Sequence, residues 1–95
     1  KIGGYDMKKS IITVVGKDTV GIIARVCTYL ADNGVNILDI SQTIVQGYFN
    51  MMMIVDTGAV KSFDTLAGEL EELGKGIGVV IKCQQEEIFE SMHRI

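Results

Sequence analysis

These 95 residues contain no proline, only two cysteines and a single histidine. Without proline there is no Pro-rich linker, and no low-complexity stretch divides the chain. Cys27 and Cys83 lie far apart, with no CxxC and no Cys/His cluster beside either, which argues against a disulfide framework and a metal site. Both are expected as buried free thiols. His93 has no nearby cysteine, serine nucleophile or carboxylate pair to make it catalytic, so a helix-terminal charge or a surface contact is its expected role. Positive charge is scarce too: nine Lys and Arg against twelve Asp and Glu leave a net charge of −3. That balance lacks the clustered basic surface that nucleic acid or an anionic membrane requires. Aromatic residues make up 6 %, and Gly47-Tyr48-Phe49 is only a faint echo of a base-stacking sheet. The apolar runs break well before the roughly 18 to 20 residues that span a bilayer, and no basic start with an apolar core stands at the front. A cytoplasmic protein is expected, with neither nucleic acid nor membrane among its partners and with no cofactor.

What remains is rich in apolar residues, 47 % of the chain, enough for one domain with a real core and not for two. Residues 1–6, which precede Met7, are expected to be a leader or tag remnant, and residues 7–95 a single domain.

Residues 10–15 are β-branched and stop at Gly16, as a buried strand does. From Val20 to Asn33 the apolar residues Ile23, Val26, Cys27 and Leu30 recur at helical spacing, with Asp18 or Thr19 as N-cap and Gly34 as the stop. Residues 35–44 and 48–57 are extended apolar segments joined by Val45-Gln46-Gly47, a hairpin in which Gly47 takes a positive φ. Ser62 caps a second helix striped by Phe63, Leu66, Ala67, Leu70 and Leu73, with Asp64 favouring its start; Gly74 and Gly76 are expected to end it. The stretch Gly74-Lys75-Gly76-Ile77-Gly78 lacks the spacing and strand-to-helix order of a dinucleotide site and is expected to be a turn. Residues 79–85 form a fourth strand with Val79, Ile81 and Cys83 on one face. In residues 86–95, Ile88, Phe89, Met92 and Ile95 share one side of a short helix, marginal alone and therefore expected to dock.

The order strand, helix, strand, strand, helix, strand is that of an α+β, ferredoxin-like βαββαβ sandwich: a four-stranded antiparallel sheet with two helices on one face, plus the short C-terminal helix. Along residues 48–56 both faces carry apolar side chains, so the helix-free face needs the C-terminal helix or a second copy of the chain. Met51, Met52 and Met53 are expected as adaptable core and interface filler, not as a metal patch.

The chemistry-bearing segment is Gly16-Lys17-Asp18-Thr19-Val20-Gly21-Ile22-Ile23, a strand emptying into a helix through a glycine-bearing turn. Free backbone N–H groups and a positive dipole end there suit a small carboxylate. Asn33-Gly34-Val35-Asn36-Ile37 is expected to return the chain beside that turn, with Asn36 supplying polar selectivity. Against these stand plainer roles: Gly21 for close packing of the helix, Gly16 as a strand end, Asn36 as a backbone partner. Asp39, with Ser41 and Gln42, is a weaker candidate, and Glu69, Glu71 and Glu72 are expected on a solvated face. A P-loop is excluded because Ile22-Ile23 stands where Lys and Ser or Thr must be. An acylphosphatase-like activity would want an arginine in this loop, which offers only Lys17.

On this element order the two motifs resemble an ACT domain. More narrowly, Ile12-Thr13-Val14-Val15-Gly16-Lys17-Asp18, Asp39-Ile40-Ser41-Gln42-Thr43, Tyr48-Phe49-Asn50-Met51-Met52-Met53 and residues 88–95 are similar to the small stand-alone bacterial ACT-domain proteins, a group of uncharacterised function, and to the ACT halves of the glycine cleavage system transcriptional repressor. The resemblance implies domains pairing through their sheets and an amino acid at the interface. It places the ligand against Asp18, Thr19, Val20, Gly21 and Ile22 in the loop, and Asn36, Ile37 and Leu38 at the start of strand two. Two positions depart from the pattern: Val20 stands where many ACT domains have proline, and Asp18 where serine-binding members offer a neutral polar side chain. A carboxylate at Asp18 repels a ligand carboxylate and pairs with its ammonium group. The expected function is a non-catalytic regulatory module, a homodimer or higher homo-oligomer that binds an amino acid or similar metabolite at its interface and acts on an enzyme or regulator. The alternative is a protein-interaction or dimerisation module with no small ligand.

Overall fold

The computed structural model describes residues 8–17 and 21–85. Six elements follow in the expected order: β1 (Lys9–Lys17), α1 (Ile22–Asp32), β2 (Asn36–Val45), β3 (Tyr48–Asp56), α2 (Phe63–Ile77) and β4 (Val79–Gln85). The strands form one sheet in the order β2-β3-β1-β4, every neighbouring pair antiparallel. This is the ferredoxin-like fold. The expected N-cap candidates Asp18 and Thr19, and the C-terminal helix with His93, lie outside the described residues.

The sheet buries one face through strict alternation. In β3, Phe49, Met51, Met53 and Val55 enter the core, whereas Met52 between them is 45 % exposed. Ile12 and Val14 of β1, Ile81 of β4, Val26 and Leu30 of α1 and Leu66 and Leu70 of α2 complete that core. At the start of the sheet a small polar knot replaces apolar packing: Ser10 Oγ lies 2.9 Å from Thr57 Oγ1, and Asp56 Oδ1 accepts from the backbone N–H groups of Lys8 and Gly58. Buried polar groups are tolerated there because they are paired.

Local signals decide the helix ends. Ser62 Oγ accepts from Thr65 N at 3.2 Å and caps α2. Helix α1 closes with the Gly34 N–H on the Ala31 carbonyl and the Val35 N–H on the Leu30 carbonyl, a Schellman pattern with Gly34 at φ +73° and a contact pair of buried Leu30 and Val35. Its start differs from expectation: Gly21, at φ +89°, is the N-cap, and no side chain among the described residues caps the helix. The β2–β3 turn is also tighter than expected, two residues with Gln46 and Gly47 both at positive φ (52° and 83°), the geometry that matches strand twist.

Three glycines act otherwise than the sequence suggested. Gly74 and Gly76 neither end α2 nor form a turn; the helix runs to Ile77 and stops at Gly78, whose φ is +93°. Gly74 is buried, and a Cβ there would stand 2.7 Å from the Val79 carbonyl oxygen and 2.9 Å from Ile81 Cγ1. Its missing side chain seats α2 on β4. Gly16 does not end β1, which continues to Lys17; a Cβ at Gly16 would meet Val79 Cγ1 at 2.7 Å.

Strand β2 is uncovered. Residues directly opposite on neighbouring strands share a face, so Ile40, opposite Met53, and Ile44, opposite Phe49, belong to the helix side. They are nevertheless 41 % and 58 % exposed.

Two substitutions separate these roles. Gly68→Ala, where a Cβ meets nothing within 4 Å, raises stability by about 0.5–1 kcal/mol through helix propensity. Gly74→Ala lowers it by about 1–3 kcal/mol through overpacking. Urea unfolding of the two variants beside the parent protein checks both signs.

Candidate functional site

Helix α1 presents its N-terminus at the end of the sheet where β1 finishes. The first helical hydrogen bond runs from Arg25 N to the Gly21 carbonyl at 2.9 Å, so helix geometry gives the N–H groups of Ile22, Ile23 and Ala24 no acceptor within the helix. No acidic residue in the first turn offsets the dipole. Gly21 is exposed and a Cβ on it would touch nothing within 4 Å, so close packing is not its purpose. Its left-handed backbone turns the chain from loop to helix, a conformation costly for a side-chain-bearing residue. Ile22 is 2 % exposed; its side chain belongs to the core and only its backbone is available to a ligand. Asp18, Thr19 and Val20 lie outside the described residues.

The second group is elsewhere. Asn36 opens β2 and is exposed, opposite Asp56; Ile37 is half-buried; Leu38, 40 % exposed, is the unpaired residue of a β-bulge between Ile37 and Asp39. Asp39 Oδ1 accepts from Ile40 N at 2.9 Å and so supports that irregular backbone. The register fixes the distance between the two groups. Asn36 is level with Asp56 and Lys9, whereas Val45 is level with Tyr48 and Lys17, the residue before the loop. Lys9 and Lys17 are eight residues apart, roughly 26 Å at about 3.3 Å per residue. Asn36 therefore does not return beside the turn of its own chain, contrary to the expectation from sequence: α1 carries the chain back to the opposite end of the sheet before β2 begins.

A profile of the ACT domain matches residues 10–75, from β1 through most of α2. The chain belongs to the ACT domain family. It is 69 % identical over 90 residues to a UPF0237 protein of Bifidobacterium longum, covering 94 % of this chain and all of that one. Among solved structures, it is similar to an ACT domain protein from Streptococcus pneumoniae, with a TM-score of 0.81, 45 % identity, and coverage of 90 % of this chain and 97 % of that one. The ACT domain of a GTP pyrophosphokinase from Chlorobium tepidum shares the fold at a TM-score of 0.61, with 23 % identity over 82 % of this chain and 99 % of that one.

Two other concavities of this ACT domain carry titratable groups. A cleft of about 570 Å³ between α2 and the outer edge of β4 is lined by Asp64, Glu71, Lys75, Lys82 and Cys83. A smaller one, about 370 Å³, lies where the end of α1 meets the start of α2, beside Tyr29, Asp32, Lys61 and Glu69. The Tyr29 hydroxyl donates to Glu69 across the two helices, so Glu69 is not simply part of a solvated face. Partial burial, and then that carboxylate, push Tyr29 above the ordinary tyrosine range. Burial likewise pushes the Cys83 thiol up to about 11. Both shifts oppose ionisation, the reverse of what an activated nucleophile needs. The two cysteines are free and half-buried, less enclosed than expected. Among the described residues no group of three or more His, Cys, Asp or Glu is placed to hold a metal, and no helix is long and apolar enough to cross a membrane.

In a Cys27→Ala variant, Cys83 carries roughly 100-fold less thiolate at pH 8 than an ordinary thiol of pKa near 9. Its reaction with a disulfide reagent should be slow in the folded protein and accelerate sharply in urea. Equal rates in both states would contradict the assigned burial.

Proposed function

We propose that this chain is a non-catalytic regulatory ACT module of the cytoplasm, which binds an amino acid or a similar small carboxylate between two copies of itself and transmits that binding to an enzyme or regulator. The observation that carries the proposal is the separation of its two ligand-facing groups by the length of the sheet. Antiparallel pairing of β2 with β2 of a second copy sets Asn36 of one chain against Val45 of the other, close to the end of β1 from which the loop departs. Each interface then holds two equivalent sites, each built from the loop and α1 N-terminus of one copy and from Asn36, Ile37 and Leu38 of the other. The bare β2 edge supports this pairing, with Leu38, Ile40, Ile44 and Val45 all substantially exposed.

Within such a site the roles divide by charge. The N–H groups at the start of α1 take the ligand carboxylate, Asp18 takes its ammonium group, and Asn36 of the other copy discriminates by hydrogen bonding. The ACT domain of a GTP pyrophosphokinase shares this fold, which is compatible with a module that acts on an enzyme.

A thermal-shift screen against the common amino acids tests the ligand: at about 100 times its dissociation constant a ligand adds roughly 2.7 kcal/mol. Gly21→Val and Asn36→Ala should each abolish that shift while leaving a folded domain. Mixing the two variants should then restore binding at one site per mixed dimer, because one of its two sites combines an unaltered loop with an unaltered Asn36. Failure of the mixture to recover would refute a site shared between chains, and a flat screen of the parent protein would favour an interaction module without ligand.

The same pairing makes β2 the place to break association. Ile40→Lys should shift the protein toward monomer by about 1–3 kcal/mol of lost pairing, read as molar mass by light scattering across a dilution series.

A further inference from the structure

Strand β4 is the other edge of the sheet, and the hydrogen bonds of the chain fix which of its backbone groups face outward. The Thr57 N–H donates to the Lys8 carbonyl at 2.8 Å, which makes Lys8 and Thr57 a hydrogen-bonded pair at the end of the β1–β3 register. Such pairs alternate along antiparallel strands. Ser10, Ile12 and Val14 therefore turn their backbone groups to β3, and Ile11, Thr13 and Val15 turn theirs to β4. The β4 partners of those three are Gln84, Lys82 and Val80. Ile81 and Cys83, lying between them, direct N–H and C=O away from the sheet, and both line the cleft of about 570 Å³ beside α2. Among the described residues no other backbone hydrogen bond reaches them.

The helix wall of that cleft is built from Asp64, Ala67, Gly68, Glu71 and Lys75, with small residues in the middle and an acid on either side. Gly68 is exposed, and a Cβ on it would touch nothing within 4 Å. Lys75 is paired with Glu72 at 3.2 Å. Lys82 shares a row with Thr13 and Met52 on the helix-free face. The wall facing an occupant of the cleft is thus acidic around a gap of side-chain size.

We propose that this cleft receives an extended segment of a partner protein as a fifth strand on β4, with an apolar residue over Ala67 and Gly68 and a basic residue two positions to either side. Its peptide groups complete the hydrogen bonds of Ile81 and Cys83, and its alternate side chains meet α2, as in strand addition at other sheet edges. The lengths agree: Asp64 and Lys75 are eleven residues apart on α2, roughly 16 Å, and five extended residues span about 17 Å. Asp64 and Glu71, about 10 Å apart along the helix, are within reach of two long basic side chains placed four residues apart on such a strand. A second copy of this chain fits less well. Pairing two β4 strands about their centres would set the two Lys82 side chains opposite each other, a destabilising like-charge contact. The inference rests on β4 and α2 alone and is independent of any ligand at the start of α1.

The test is selection of a displayed library of random seven-residue peptides on the full chain, followed by titration of the most enriched peptide in synthetic form. Enriched sequences should carry an apolar residue flanked at two positions on each side by Lys or Arg, and the titration should move the amide resonances of Ile81 and Cys83. Gly68→Leu fills the cleft while raising helix propensity, so the domain stays folded and binding weakens by at least about tenfold. Glu71→Lys should weaken it by about fivefold. No enrichment, enrichment of acidic peptides, resonance shifts confined to β2, or an affinity indifferent to Gly68→Leu would each overturn the proposal. A lower molar mass for peptide-free Gly68→Leu than for the peptide-free parent would overturn it in favour of a second copy in the cleft.

Discussion

The close seat of α2 on β4 governs much of what this domain exposes. At Gly74 the helix backbone approaches the Val79 carbonyl and Ile81 so nearly that no side chain fits between them. That contact draws α2 to the β4 edge of the sheet, while α1 contributes Val26 and Leu30 to the shared core. On β2, the opposite edge strand, the row facing the helices remains largely in solvent, with Ile40 and Ile44 exposed. An edge strand with a row of exposed apolar side chains is a site of strand pairing unless charge or irregularity blunts it. Here the blunting is confined to the bulge at Leu38 and the carboxylate of Asp39.

Chain direction imposes the second constraint. A strand, a returning helix and a second parallel strand must place the end of the first strand and the start of the second at opposite ends of a sheet. Gly21 and Asn36 are therefore separated in any chain of this topology, however close they stand in sequence. If both serve one ligand, two chains are required, and the uncovered β2 offers the geometry in which two chains bring them together.

Much of this was legible in the residues. Strand β4 runs over the residues its alternation marks, Ser62 caps the helix it precedes, and β3 divides its methionines between core and surface as period-two patterning demands. Those signals are local, and local chemistry decides them. Gly74 looks like a helix stop because a glycine that stops a helix and a glycine that lets a strand approach are alike in sequence; only its buried position against β4 distinguishes it. The bulge at Leu38 leaves no mark in an apolar run, since an extra residue there shifts register without altering composition. The position of Asn36, by contrast, follows from the element order. The element order already contained the returning helix, and an eleven-residue helix of about 16 Å is long enough to carry the chain back toward the far end.

A site divided between two copies has a property that a site within one chain lacks. Ligand that contacts both chains stabilises the pair, and by linkage the pair binds ligand more tightly than either chain alone. Protein concentration and metabolite concentration then act on one equilibrium. Neither the thiol of Cys83 nor the hydroxyl of Tyr29 is poised for chemistry, and no metal cluster is formed among the described residues. What the fold offers instead is an exposed edge strand of the kind that pairs and a helix terminus whose dipole favours negative charge. If the proposed site is coupled through β2, those two features suffice for a small-molecule signal to be read out as a change in assembly.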